Sequence, residues 1–306
     1  MIVIACPGQG SQTPGFLAPW LELPGASDFL GEASENAGID LVAHGTVSDA
    51  DTIRDTAIAQ PLIVAASLLA WRELSARVSI ADAGIAGHSV GEFAAAAAAG
   101  VLTEADALRL VAVRGRAMAE AASRVETGMA AVVGGVEADV LAKIAEHGLT
   151  AANRNGGGQI VAAGERAKLE ALAADAPRGA RVIALQVAGA FHTDAMASAI
   201  PALREATESV AATDPRHPLW TNSDGSRVTS GERFVELLVS QIAHPVRWDA
   251  CMASFEAAGI SGLVELAPAG ALTGIAKRAL KGTPTVAIKT PEDLDAAVAL
   301  ITGPAA

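Results

Sequence analysis

The stretch that most constrains this chain is Gly87-His88-Ser89-Val90-Gly91-Glu92, a G-x-S-x-G sequence. Small and apolar residues precede it (Asp82-Ala83-Gly84-Ile85-Ala86), and an alanine-rich run over 93–99 follows. That order reads as a short buried strand turning sharply into a buried helix. So tight a turn crowds its own backbone, and glycine removes the Cβ that would clash. The turn exposes the Ser89 hydroxyl. It also aims the backbone N–H of Val90, at the helix start, toward whatever Ser89 attacks. A strand, a sharp turn and a helix in this order point to an α/β fold carrying a nucleophilic serine.

The remaining elements fit such a fold. Residues 2–6 read as a buried strand, and 61–77 as a helix with Pro61 in its first turn. Thr103-x-x-Asp106 caps a helix running to about residue 122. Residues 263–266 and 285–288 read as further strands, each beside a helix, so a mostly parallel sheet is expected. One segment breaks the pattern. Residues 128–134, 149–152, 159–163 and 181–187 read as strands, 137–147 and 166–174 as helices. The order β-α-β-β-α-β is the ferredoxin-like unit. The expected organisation is therefore a large α/β domain over 1–123 and 190–306, with an inserted ferredoxin-like subdomain over 124–189.

The chain has 306 residues, enough for one large domain with a smaller one attached. It is 51% hydrophobic but only 3% aromatic and has no tyrosine, so the core must be aliphatic and alanine-rich. A formal charge of −12 argues against nucleic acid or an anionic membrane as a partner. Cys6 and Cys251 read as buried free thiols of a reducing compartment. The amino terminus has no basic segment, and the longest apolar runs, 61–71 and 93–102, fall short of the ~20 residues that span a bilayer. A soluble cytoplasmic protein, monomeric and with no membrane association, is the expectation.

A serine nucleophile needs a base. The histidines are His44, His88, His147, His192, His217 and His244. His88, next to Ser89, should point to the opposite face of its strand in a structural role. His147 ends a helix, where a cation is favourable anyway. His44, His217 and His244 lie in turn-like contexts. His192 follows Ala190-Phe191 where the subdomain rejoins the large domain, a common place for a cleft. Arg114 interrupts the apolar stripe of Leu110, Ala117, Met118 and Ala121 on the helix from Thr103. It either pairs with a structural carboxylate or snorkels, or it holds an anionic substrate group in a bidentate grip.

Taken together, these residues resemble the malonyl-CoA:acyl carrier protein transacylases over essentially the whole chain. Gly8-Gln9-Gly10-Ser11-Gln12 is similar to that family's loop after the first strand, and Gly87 to Glu92 to its G-H-S-x-G-E. Arg114-Gly115-Arg116-Ala117-Met118, Asn153-x-Asn155, Ala190-Phe191-His192, Gln241 to Trp248 and Glu265-Leu266-Ala267-Pro268 resemble further segments in the same order. Ala267 and Ala269 replace glycines of the last segment, and Gly189 stands where many relatives have histidine.

The resemblance implies an α/β-hydrolase-like fold and a role for each matched residue. Ser89 would be acylated, with His192 as its base, oriented by a backbone carbonyl near Gln241. Gln9 and Val90 would supply oxyanion N–H groups. Arg114 would bind the malonyl carboxylate. Gln60, Met118, Asn153, Asn155, Phe191 and Gln241 would line the substrate site. The implied reaction is ping-pong transfer of malonyl from malonyl-CoA to the phosphopantetheine thiol of acyl carrier protein, for fatty acid or polyketide synthesis, with no metal and no other cofactor. For docking that acidic partner, the densest basic cluster is Lys277, Arg278 and Lys281, which a helix carboxyl terminus also favours. Two other readings remain. One is a serine esterase or thioesterase of the α/β-hydrolase type, which needs an acid between Ser89 and His192; Asp106, Asp139 and Asp175 all fall in polar helices. The other is a carrier-protein binding module with a degenerate site.

Overall fold

The computed structural model describes residues 1–303. Its larger sheet runs in the order β10 (Thr285–Ala287), β9 (Gly262–Glu265), β1 (Ile2–Cys6), β2 (Gly84–Gly87), β7 (Leu219–Trp220), β8 (Arg227–Val228). All neighbours in it are parallel except the short edge pair β7–β8. β1 lies at its centre, in register Val3↔Gly84 with β2 and Val3↔Leu263 with β9. Because side chains alternate along a strand, Ile2, Ile4 and Cys6 enter one apolar core while Val3 and Ala5 enter another. Both faces are thus covered, which is why this strand reads as an unbroken apolar run rather than an alternating one.

The helix Thr56–Arg77 supplies much of the first core. It begins a turn earlier than its sequence suggests. Asp55 caps it by accepting the Ala57 N–H at 2.8 Å, and Pro61 lies inside the helix rather than at its start. Proline lacks only one N–H, so the loss is confined to one bond near the helix start. This helix is long and apolar enough to cross a membrane, but most of it is buried inside the fold. It is packed there as a core helix.

The smaller sheet runs β4 (Thr150–Gly156), β5 (Gln159–Glu165), β3 (Thr127–Gly134), β6 (Ala180–Ala184), antiparallel throughout. With the helices Glu137–Glu146 and Arg166–Ala174 it has the expected ferredoxin-like order. Ala130 and Val132 face these helices with Val140, Ile144, Leu169 and Leu172. Met129 and Ala131, one residue out of phase, face the larger domain and line its cleft. Two boundaries differ from the sequence reading. β4 continues to Gly156, so Asn153 and Asn155 sit on a strand, and β6 ends at Ala184, so Leu185 and Val187 lie in an irregular segment beside the cleft.

β4 also extends the sheet across the molecule. The Val246 N–H donates to the Ala152 carbonyl at 2.8 Å, and the Arg154 N–H donates to the Val246 carbonyl at 2.9 Å. The small sheet is therefore bonded at its β4 edge to a segment of the large domain, far in sequence from the links that enter β3 and leave β6.

Candidate active site

The site forms where β1 and β2 end, at the carboxyl edge of the parallel sheet. β2 ends at Gly87 and the helix Gly91–Ala98 starts four residues later. A Cβ on Gly87 would stand 2.1 Å from the Gly91 carbonyl carbon, and one on Gly91 would stand 2.2 Å from the Cys6 carbonyl oxygen. Both glycines are required by this close packing. Between them Ser89 takes a left-handed backbone, φ 52°, a conformation costing a non-glycine residue ~1–3 kcal/mol unless its surroundings impose it.

The cleft before Ser89 has a volume of about 400 Å³. His192 Nε2 lies 2.7 Å from Ser89 Oγ, and His192 Nδ1 lies 2.8 Å from the Gln241 backbone carbonyl. With that carbonyl accepting, Nδ1 carries the proton and Nε2 is free to take the serine proton. Burial, then the charge of Arg114, push the His192 pKa down to about 3, so the imidazole is neutral at ordinary pH. His192 also has a positive φ, 62°, so both partners of the pair are held in uncommon backbone conformations. No carboxylate hydrogen-bonds His192 among the described residues. Asp106 pairs with Arg109, and Asp175 with Lys143 and His147, each on the surface. Among the described residues there is thus no Ser-His-Asp triad, which removes the structural basis for the esterase reading.

Arg114 reaches the same point from the helix Glu104–Ser123. It is 1% exposed. Its guanidinium donates to Gln60 Oε1 at 2.6 Å, to Gln241 Oε1 at 2.7 Å and to Ser89 Oγ at 3.3 Å, while its Nε–H has no acceptor. No carboxylate lies within ion-pair distance of it among the described residues, so the structural pairing considered for it is not what the fold builds. Burial lowers its pKa to about 10, opposed by the charge of Glu92, and leaves it cationic. A buried cation whose direct hydrogen-bond partners are neutral amides and a hydroxyl has the chemistry to take an anion.

The other expected residues gather around these. Gln9, Val90, Met118, Asn153, Asn155 and Phe191 all line the cleft. The Gln60 amide donates to Met118 sulfur at 3.6 Å. The backbone N–H groups of Gln9 and Val90 have no acceptor among the described residues, which fits donors kept free for a developing oxyanion. His88 departs from expectation. It lines the cleft, its Nε2 lies 2.9 Å from Asn155 Oδ1, and its ring packs edge-on to Trp248. Lys277 and Lys281 are exposed on or just past the helix Ala271–Ala279, whose first residues line the cleft mouth. Arg278 is partly committed elsewhere, donating to the Gly157 carbonyl at 3.1 Å across the β4–β5 turn. Both thiols are buried and free, and burial raises both pKa values.

Two residues of the site are given no role by the sequence reading. Asn222, wholly buried, accepts the Ser89 N–H on Oδ1 at 2.7 Å and donates from Nδ2 to the Gly87 carbonyl at 2.7 Å. Glu92, 1% exposed, accepts the Asn222 N–H at 2.8 Å and the Gln241 side-chain amide on its other oxygen. The final glutamate of Gly87 to Glu92 was the available signal for one. Asn222, in Trp220-Thr221-Asn222-Ser223-Asp224-Gly225, reads only as a turn.

Comparison with known proteins adds four findings. Residues 3–300 match the acyl transferase domain family. A malonyl CoA-acyl carrier protein transacylase of Mycobacterium bovis is 51% identical over 297 residues, covering 96% of this chain and 98% of that protein. Among solved structures, MCAT from Mycobacterium tuberculosis superposes with a TM-score of 0.94 at 51% identity, over 97% of this chain and 99% of its own. The acyl-carrier-protein-S-malonyltransferase from Bartonella henselae does so at 0.92 and 32%, over 99% of each chain.

Proposed function

This chain belongs to the malonyl-CoA:acyl carrier protein transacylase family, and from that premise we propose that it moves malonyl from malonyl-CoA to acyl carrier protein through a malonyl ester on Ser89. His192 Nε2 takes the Ser89 proton as Oγ attacks the thioester carbonyl. The N–H groups of Gln9 and Val90 hold the oxyanion, and losing one such donor costs ~10²–10³ in rate. CoA leaves as the thiol, carrying the proton from His192. The phosphopantetheine thiol of the carrier then gives its proton to His192 and attacks the ester, and Ser89 is regenerated. The thioesters on the two sides have similar energies, so one site runs in both directions. No metal or other cofactor enters these steps.

The observation that carries the malonyl assignment is Arg114, buried, cationic and without a carboxylate partner, with Nη2 3.3 Å from Ser89 Oγ. A malonyl group esterified there would present its free carboxylate to that guanidinium. A neutral acyl group would leave the cation unpaired. Phe191 would wall the space beside the malonyl α-carbon. Lys277 and Lys281, near the cleft mouth, would meet the acidic carrier of fatty acid or polyketide synthesis, in the cytoplasm. The test is intact mass after mixing with malonyl-CoA, then with malonyl-CoA and carrier protein. One malonyl per chain should appear, and the carrier should discharge it. A chain that stays unlabelled refutes the proposal.

A further inference from the structure

The hydrogen bonds around Ser89 close on themselves. The Ser89 N–H donates to Asn222 Oδ1 at 2.7 Å, and the Asn222 N–H donates to Glu92 Oε1 at 2.8 Å. Glu92 Oε2 accepts Gln241 Nε2, and that same Nε2 donates to the Ser89 carbonyl at 3.1 Å. Both backbone groups of the left-handed serine are thereby bound by side chains. We propose that Glu92 and Asn222 are positioning residues for the transfer reaction, acting through this ring rather than by touching substrate.

Three consequences of the geometry support the assignment. First, Asn222 occupies the Ser89 N–H, so that group cannot serve an oxyanion, and the task falls to Val90 and Gln9. Second, Asn222 Nδ2 holds the Gly87 carbonyl at 2.7 Å, so one amide grips the turn on both sides of His88. Third, both Glu92 oxygens accept in this ring, Oε1 from the Asn222 N–H and Oε2 from Gln241 Nε2. Glu92 therefore fixes the amide of Gln241 with Nε2 toward itself and Oε1 toward Arg114, 2.7 Å away. The Gln241 backbone carbonyl meanwhile orients His192. One buried carboxylate thus sets the amide that holds the anion-binding guanidinium, in the residue whose carbonyl orients the base.

The inference rests on the proposed acylation of Ser89, and a double-mutant cycle on that step tests it. Glu92→Gln keeps an oxygen for the Asn222 N–H but turns an NH₂ toward the NH₂ of Gln241, so the Gln241 amide must flip or withdraw. A displacement of this kind costs up to ~10²-fold in rate. Single-turnover labelling of Ser89 by malonyl-CoA should slow by about 10- to 100-fold in E92Q, while the thermal midpoint and circular dichroism remain those of a folded protein. In a Gln241→Ala background there is no amide left to misplace, so E92Q/Q241A should label as fast as Q241A alone. Should E92Q alone fail to fold, the comparison of E92Q/Q241A with Q241A still decides the matter. Additive losses, or an E92Q enzyme with the wild-type labelling rate, overturn the positioning role of Glu92. A wild-type chain that malonyl-CoA does not label overturns the proposed function itself, so the two failures are distinct.

Discussion

Where the parallel sheet ends, the cleft wall is made of buried polar groups bound to one another. Glu92, Arg114, Asn222 and His192 are each 3% exposed or less. Two of the residues there, Ser89 and His192, have positive φ. Where the antiparallel sheet faces the same space, it presents Met129, Ala131 and Val161, with Asn153 and Asn155 at one edge. Several of its charges are outside and paired, Lys143 with Asp175, Lys168 with Glu165, and Arg154 with Glu137 and Asp249. Surface pairs of that kind contribute ~0–1 kcal/mol each. The contrast teaches a division of labour. One wall concentrates desolvated charge and strained backbone, which are costly and make chemistry possible. The other supplies shape at little electrostatic cost. Substitutions in the first wall should change rates by decades, and those in the second by small factors.

The sharpest break comes from Ser89→Ala. Malonyl adduct should vanish and transfer should fall by at least ~10⁴-fold, with the melting curve little changed, because removing a nucleophile of this kind costs that much or more. An adduct that persists places the nucleophile elsewhere. Next is Arg114→Ala, in the same wall. The charged contact to a carboxylate is worth ~1.5–3 kcal/mol, so preference for malonyl over acetyl should drop by roughly one to two decades. Equal transfer of both groups by the wild type would make Arg114 structural. In the opposite wall, Asn155→Ala removes a neutral contact to His88. A loss of ~0.5–1.5 kcal/mol allows only a ~2- to 12-fold change in kcat/KM. A larger loss would erase the distinction between the walls.

Smaller still is the effect expected outside both. Lys277→Glu with Lys281→Glu should raise KM for carrier protein a few-fold at low salt and leave Ser89 labelling by malonyl-CoA unchanged. Arg278 is best left intact, since it binds the Gly157 carbonyl. Carrier kinetics unmoved by the double reversal would place docking on another face.

The smallest effect is thermal and has two opposite signs. Burial lowers the His192 pKa to about 3, below its unfolded value. The unfolded chain then binds the extra proton, and His192 subtracts stability as pH falls through about 6.5 toward 3. Burial raises the Glu92 pKa to about 7, above its unfolded value, so Glu92 subtracts stability as pH rises from about 4.5 to 7. From pH 7 to pH 5 the two oppose each other. His192→Gln should therefore raise the pH 5 midpoint relative to pH 7, and Glu92→Gln should lower it, each by a few degrees at ~2–4 °C per kcal/mol. Parallel pH dependences in all three proteins would show that neither group is shifted.

The sequence was most legible where a local rule had one solution. The G-x-S-x-G turn named Ser89, and Thr103-x-x-Asp106 placed a helix start that the structure reproduces, with the Asp106 N–H donating to Thr103 Oγ1 at 3.0 Å. The βαββαβ order came from alternation alone. It failed where the answer lies across the chain. Asn222 is 133 residues from Ser89, and nothing in a turn-like stretch announces that its amide will reach a buried backbone. The direction of His88, though not its structural role, escapes the sequence because its neighbours, Asn155 and Trp248, come from the insertion and from the last third of the chain. Arg114 was located by helical phase, but its lack of a counter-ion is a property of burial, which no single helix can reveal. Pro61 misled because proline is common at a helix start, and here Asp55 had already opened the helix.

The backbone bridge between β4 and Val246 bears on motion. The small sheet is covalently continuous with the large domain through β3 and β6, and hydrogen-bonded to it at the opposite edge through Ala152, Arg154 and Val246. A flap swinging about one hinge has a single line of attachment, whereas this sheet has two, set apart by its full width. Opening it would break main-chain pairs on one side or tear the junction on the other. The expected consequence is an aperture in front of Ser89 set by the architecture, with no rigid-body closing step during turnover. Hydrogen exchange at the Val246 and Arg154 amides should keep pace with the interior of the parallel sheet, not with the surface loops around the cleft.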